Sequence, residues 1–315
     1  MEANGRTRKR GWAGVLTLLG STLSNQTGAA VASFGFPLIG AVGVVAVRQF
    51  VAAAILLPTV RPRLRSFTRH QWWPVLLLAL VFATMNLSLY SAIERIGLGL
   101  AVTLEFLGPL AVALFSSRNF GTAIAALFAG AGVVIITWPE PSTDYLGIGL
   151  ALVAACSWAS YILLNRSIGH RIPGIEGTAA ATGVSAMLFV PVGIVLFLNN
   201  PPSFFAIACA ACAGVMASAV PYVADLIALR HISAHVFGLL MSVNPVFAAV
   251  IGMLLLGQAF GATEWLGTVL IVCANVSVLL LGGPDKDDPA PVRQAEGFPM
   301  TDYAGGGSTG IPIRD

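Results

Sequence analysis

The sequence predicts an all-α polytopic membrane protein, with ten transmembrane helices arranged as two inverted five-helix repeats. Three observations carry that expectation. The first is composition. Of 315 residues, 57% are hydrophobic and only 10% are charged, whereas a soluble globular domain carries about 25% charged residues; mean hydropathy is +0.84. The second is the number of apolar stretches that reach the length of about 20 residues needed to cross a bilayer. The third is an internal repeat in which helix-breaking prolines recur at similar separations. The 34 glycines and 18 prolines fit the same picture, because membrane helices use small residues for close packing and tolerate proline.

Taken in order, the chain opens with a basic N-terminus, residues 1–11, that includes Arg6, Arg8, Lys9 and Arg10. Basic residues before an apolar run imitate a signal peptide. No convincing small-residue cleavage site comes after them, and the apolar run continues to Phe36, so an uncleaved first span is expected. Spans are expected at 12–33, 38–58, 72–93, 97–116 and 120–138, forming a first repeat over 12–138. A second repeat over 146–282 would contain spans at 146–165, 177–198, 204–224, 233–256 and 262–282. From Pro284 the chain turns polar and then glycine-rich, so 284–315 is expected to be a disordered tail.

Charge placement agrees with ten spans. With a cytoplasmic N-terminus, fifteen of the seventeen basic residues fall on the inner side, Arg95 falls outside and Arg48 lies within the membrane. One span more or fewer would scramble that partition. The C-terminus is then cytoplasmic too, and the protein belongs in the plasma (inner) membrane. Trp12, Trp72, Trp73, Trp138 and Trp265 mark expected span ends, as interfacial aromatics do. Trp158 lies well inside the sixth span.

The repeat is visible in spacing more than in identity. Ala92-Ile93-Glu94-Arg95-Ile96 is separated by twelve residues from Pro109; Ala228-Leu229-Arg230-His231-Ile232 stands in the same relation to Pro245, 136 residues on. Spans 48–58 and 181–191 both end in proline, at an offset of 133. Five spans per half is odd, so the halves must lie in opposite orientations. Inverted repeats with broken helices near the midplane are a transporter pattern, with the site at the repeat interface.

Glu105 is the foremost candidate for chemistry. It lies near the centre of the fourth span, where a charge costs at least about 2.5–3.5 kcal/mol. Pro109 removes the N–H that its backbone carbonyl would otherwise meet. A helix lining a polar cavity tolerates that combination and a lipid-facing one does not. A carboxyl placed there is able to bind and release a proton; the alternative is a structural carboxylate that locks helix packing. Arg48 can pair with Glu105, grip a substrate carboxylate in bidentate fashion, or snorkel to the interface. Asp225, near Arg230, is either part of the path or interfacial. Asn25, Gln26, Asn86, Tyr161 and Tyr222 are uncharged polar groups at membrane depth, each readable as a helix–helix hydrogen bond. Glu94 and Arg95 read as an exposed loop pair, and His235 as interfacial.

Several functions are excluded. Phosphate-cradling loops, His-Glu-x-x-His and Gly-x-Ser-x-Gly are missing. With no ATP-binding domain, any uphill transport must be driven by an ion or by exchange. Cys156, Cys209, Cys212 and Cys273 all lie in apolar runs; Cys209-x-x-Cys212 has no further ligand nearby, so packing is expected and no metal or cofactor. The net charge of +3 is spread through short loops, which gives no nucleic-acid surface.

The run from Leu104-Glu105-Phe106-Leu107-Gly108-Pro109-Leu110-Ala111-Val112-Ala113-Leu114 to Arg118 resembles the signature of the threonine/homoserine exporter branch of the drug/metabolite transporter superfamily, whose members carry two EamA domains. Val220-Pro221-Tyr222, Ile227-Ala228-Leu229 and Phe237-to-Ser242 resemble its second half. The resemblance covers about residues 12–282. It implies a ten-helix bundle around a central pocket and proton-driven efflux of small amino acids. Glu105 and Pro109 match the branch directly, and Asp225 matches a position that is often glutamate. Asn244 before Pro245, and Gln258 after Gly257, stand where glutamate is usual. The path residues expected on these grounds are Glu105, Arg48, Pro109, Asn86, Tyr222, Asp225, Asn244 and Pro245, acting on a small-molecule substrate, with protons, in the bilayer. Export of another metabolite or a drug is the neighbouring reading; an intramembrane enzyme or a non-transporting sensor is the distant one.

Overall fold

The computed structural model describes residues 2–116, 120–136, 144–169, 176–199, 201–221, 224 and 241–281. Every secondary-structure element among them is helical, and they fall within one compact unit, Met1–Gly283. Tyr222, Asp225, His235 and the tail from Pro284 lie outside the described residues. Four described helices are long and apolar enough to cross a membrane, within 36–60, 69–96, 145–164 and 176–198; shorter apolar helices occupy 98–112, 204–219, 244–256 and 262–277.

The first helix, α1 (Glu2–Ser33), starts ten residues earlier than the apolar boundary suggests. The basic stretch contains no proline, and Arg and Lys are good helix formers, so nothing stops the helix there. A turn at Phe34-Gly35 leads to α2 (Phe36–Val60), which has Pro37 in its first turn and a kink at Gly40, where φ is +66°. Next comes α3 (Arg69–Ile96), whose start is tied by Gln71 Oε1 accepting from the Thr68 backbone N–H at 2.9 Å.

The fourth expected span is broken in two, α4 (Leu98–Glu105) and α5 (Leu107–Ser116), with the joint at Phe106. The break falls one turn before Pro109 because a proline distorts the turn that precedes it. Trp158 explains its depth at this joint: its ring meets Phe106 edge-on at 4.7 Å. After α6 (Phe120–Ile136) and α7 (Tyr145–Gly169), the seventh expected span is also split, into α8 (Glu176–Leu188) and α9 (Val190–Asn199), just before Pro191. The eighth begins as α10 (Phe204–Gly214) and runs on through a π turn, Val215–Ala219. The last described helices are α11 (Asn244–Leu256) and α12 (Ala262–Leu281).

Helices from the two sequence halves interleave. The third packs on α7 and α8, α2 on α8 and α10, α4 on α7 and α11, α6 on α12, and α1 on α10 and α11. Small buried residues make this possible: a Cβ on Gly108 would collide with the carbonyl oxygen of Ala155, so α5 and α7 touch backbone to backbone. Large apolar side chains such as Phe115, Leu127, Leu198 and Leu254 point outward, as a lipid-facing surface requires.

One end of the bundle is tied by polar contacts from helix ends to neighbouring segments; Glu94 and Arg95, expected in a loop, lie in the last turn of α3. Arg95 pairs with Asp144 at 2.9 Å, not with its neighbour Glu94; the Gly147 backbone N–H donates to the same carboxylate at 2.8 Å. Gln258 Oε1 accepts from the Leu98 backbone N–H at 3.1 Å. It thereby satisfies a donor at the start of α4 that the helix cannot satisfy itself. Its amide lies against Gly97, whose φ of +83° and missing side chain allow the approach. Gln258 therefore caps a helix, a task that requires an acceptor oxygen and no titrating group.

These contacts can be tested singly. Gly108→Val should lower stability by about 1–3 kcal/mol through overpacking against Ala155, read as earlier loss of the monodisperse peak when detergent-purified protein is heated. Gln258→Ala, which strands the Leu98 N–H, should cost about 1 kcal/mol, while Gln258→Glu keeps the acceptor and stays near wild type in the same assay. The Asp144 carboxyl is held below its ordinary value, first by the Gly147 N–H and then by Arg95. A lowered carboxyl contributes stability above its unfolded value and loses it on acidification. Melting points of wild type and Asp144→Asn should differ near neutral pH and converge as pH falls past about 3.9.

Candidate functional site

The polar centre of the described core is built on prolines. In a continuous α-helix the Ala217 carbonyl would meet the N–H of residue 221, but that residue is proline and has none. The π turn at Val215–Ala219 accommodates the defect, and the Ala217 oxygen accepts instead from Arg48 Nη2 at 2.8 Å. Arg48 Nε donates to Ser218 Oγ in the same turn at 3.1 Å, and Nη1 donates to Asn86 Oδ1. The guanidinium carbon stands 4.8 Å from the Tyr90 ring centroid. Asn86 and Tyr90 are one turn apart on α3, so both face α2; the Asn86 amide is also anchored, donating to Phe82 O at 2.7 Å. Arg48 is 7% exposed. It does not snorkel.

A second amide pair repairs a second proline. Pro245 deprives the Met241 carbonyl of its helical donor, and Asn244 Nδ2 donates to that oxygen at 3.1 Å. Asn244 Oδ1 accepts from Gln26 Nε2 at 3.0 Å, deep in the core. The first helix links the two groups: two residues before Gln26, Ser24 donates to Met216 O at 2.8 Å, and Gly28 lies against Met216 and Ala217.

Glu105 ends α4 and is 5% exposed. Among the described residues its carboxylate has no ion pair and no hydrogen-bond donor. The Arg48 charge acts on it through space without touching it. Of the partners open to Arg48 on sequence grounds, direct pairing with Glu105 is therefore not made in this conformation. Pro109 lies one turn further on, half-buried in α5. Two buried hydroxyls, Tyr90 Oη and Thr22 Oγ1, have no partner among the described residues, a condition that costs about 1–3 kcal/mol for such a group.

The structure thus gathers Arg48 and Asn86, sets Glu105 within electrostatic reach, and places Asn244 and Pro245 across α1 from them. Sequence reasoning passed over Ala217, Ser218 and Tyr90. Pro221, four residues after Ala217, was the available signal for the first two. A guanidinium has five N–H donors, of which three are engaged here, so an anion can still join Arg48. The free carboxylate of Glu105 can meet a cation or a proton.

Comparison with known proteins identifies the family. The EamA-like transporter family model matches residues 145–280. The threonine/homoserine exporter RhtA of Salmonella typhimurium (strain SL1344) is 35% identical over 280 residues, covering 88% of this chain and 95% of that protein. RhtA of Escherichia coli (strain K12) is 34% identical over 272 residues, covering 85% and 92%. A crystal structure with 18% sequence identity matches with a TM-score of 0.59 over 85% of this chain and 98% of its own, which bears on the fold alone. Identity of this level across both halves, in a chain of apolar helices, shows that this integral membrane protein belongs to the EamA-like transporters, in the threonine/homoserine exporter-like branch of the drug/metabolite transporter superfamily.

Proposed function

We propose that this protein is a secondary transporter that exports small amino acids such as threonine and homoserine, driven by protons. The observation that carries the reading is a buried guanidinium and a buried carboxyl group that do not meet. Arg48 retains donors for an anion, and Glu105 is an unpaired carboxylate within its field. An amino-acid zwitterion has the complementary charges: its carboxylate suits Arg48 and its ammonium suits Glu105. When the substrate leaves, a proton can take the place of the ammonium on Glu105. The exporter activity named for the relatives of 34–35% identity supports the same substrate class.

In this reading ten helices form two inverted repeats, 12–138 and 146–282, and the site alternates between the two sides at their interface. Asn86 holds Arg48 in place; Pro109 and Pro245 mark the two helix breaks at the path; Tyr222 and Asp225 continue it toward the cytoplasm. Both termini are cytoplasmic in the inner membrane, and the segment 284–315 takes no part in transport. The end carrying the Arg95–Asp144 pair and the Gln258 cap then faces outward.

The test is efflux of labelled threonine and homoserine from cells expressing wild type or Glu105→Gln, with membrane abundance measured in both. Wild-type export that falls at least about tenfold in an equally abundant variant, a loss within the range expected for a charge-assisted contact, supports the reading. A wild type that exports neither compound overturns it.

A further inference from the structure

We propose that the Tyr90 hydroxyl selects hydroxylated substrates, by hydrogen bonding the side-chain hydroxyl of a short amino acid whose carboxylate lies on Arg48; the inference rests on the amino-acid reading of this site. The Tyr90 ring is held by contacts that do not use its oxygen. Arg48 covers one face at 4.8 Å, and Phe36 meets the ring edge-on at 6.1 Å with the planes at 69°. Phenylalanine would make both contacts equally well. The hydroxyl, on a residue only 1% exposed, has no partner among the described residues. The amide one turn away on α3, Asn86, is engaged through both its oxygen and its nitrogen.

A buried hydroxyl without a hydrogen-bond partner, beside the one buried guanidinium of the described core, is placed to read the side chain of a molecule whose carboxylate the guanidinium holds. The hydroxyl of threonine or homoserine is two or three bonds from the α-carbon. That brings it to the rim of the ring that Arg48 covers. Each hydroxyl can donate to the other or accept from it. Valine and norvaline have nearly the same shapes as threonine and homoserine but put a methyl group there, leaving Tyr90 Oη buried and unpaired. Sites built around such a bond reject the analogue that lacks it far more strongly than apolar pockets reject a change of size. The present conformation is closed over the hydroxyl, so the substrate meets it when the helices around Arg48 part.

The experiment uses the full chain in proteoliposomes loaded with threonine. Labelled threonine is taken up by counterflow against competing unlabelled threonine, valine, homoserine or norvaline. Wild type should prefer each hydroxylated compound over its methyl counterpart by at least about tenfold. Tyr90→Phe should weaken threonine and homoserine, leave valine and norvaline as they were, and bring both ratios close to one. Should that variant fail to accumulate, site-specific 3-fluorotyrosine at position 90 nearly keeps the ring's shape and strengthens the hydroxyl as a donor; its weaker ring face under Arg48 acts on all four competitors alike, so the ratios shift only if the substrate touches the hydroxyl. Unchanged ratios in either folded variant, or a wild type that treats threonine and valine alike, overturn the role of Tyr90 while amino-acid transport stands. A wild type with no amino-acid counterflow overturns the underlying reading, and this inference with it.

Discussion

In hydrocarbon a backbone carbonyl that loses its helical donor has no water to turn to, and the rest of this structure depends on how those losses are repaired. Pro221 strips the donor from Ala217, and Arg48 supplies one. Pro245 strips it from Met241, and Asn244 supplies one. The polar side chains buried in the core are therefore there partly because prolines broke the helices beside them. A cation at this depth would be prohibitively costly among lipid tails. It is tolerated here because a carbonyl, a hydroxyl, an amide and a ring face surround it. Function and backbone repair use the same atoms.

This coupling also explains how much could be read from the chain alone. Apolar length and proline position depend on neighbours in sequence, and the breaks before Pro109 and Pro191 fall close to those prolines, although α1 starts ten residues before its apolar boundary. The membrane depth of Asn86 and Glu105 was equally legible, since polar residues inside long apolar runs have few other places to go, whereas for Arg48 the sequence left burial and snorkelling both open and the structure decides for burial. What stayed hidden was pairing across distance. Arg48 meets a turn 169 residues away, Gln26 meets Asn244 over 218 residues, and Gln258 caps a helix 160 residues upstream. No local period encodes such contacts. Arg95 shows the error this invites: adjacency in sequence pointed to Glu94, whereas Asp144, whose carboxylate the Gly147 N–H also holds in place, is its partner.

The small residues matter as much as the polar ones. Where Gly108 lies on Ala155 and Gly28 on Met216 and Ala217, backbones approach without side chains between them. Contacts of that kind bring the polar groups of four elements (α1, α2, α3 and the π turn) within hydrogen-bonding distance. Many large apolar side chains, Phe115 and Leu254 among them, lie on the outer surface, where lipid is their natural solvent.

The π turn also has a consequence for how this site could arise or be lost over generations. A helix gains about 100° of rotation for each residue added. The extra residue accommodated at Val215–Ala219 therefore sets how Ala217 and Ser218 are turned relative to Gly214 and the helix before it, and so whether they meet Arg48. Deleting a single codon in that turn would swing both groups away from Arg48 at once, leaving composition and hydropathy almost unaltered. Related chains of equal apolar character could thus differ in what they carry because of one insertion or deletion, a change that residue-by-residue substitution statistics would pass over.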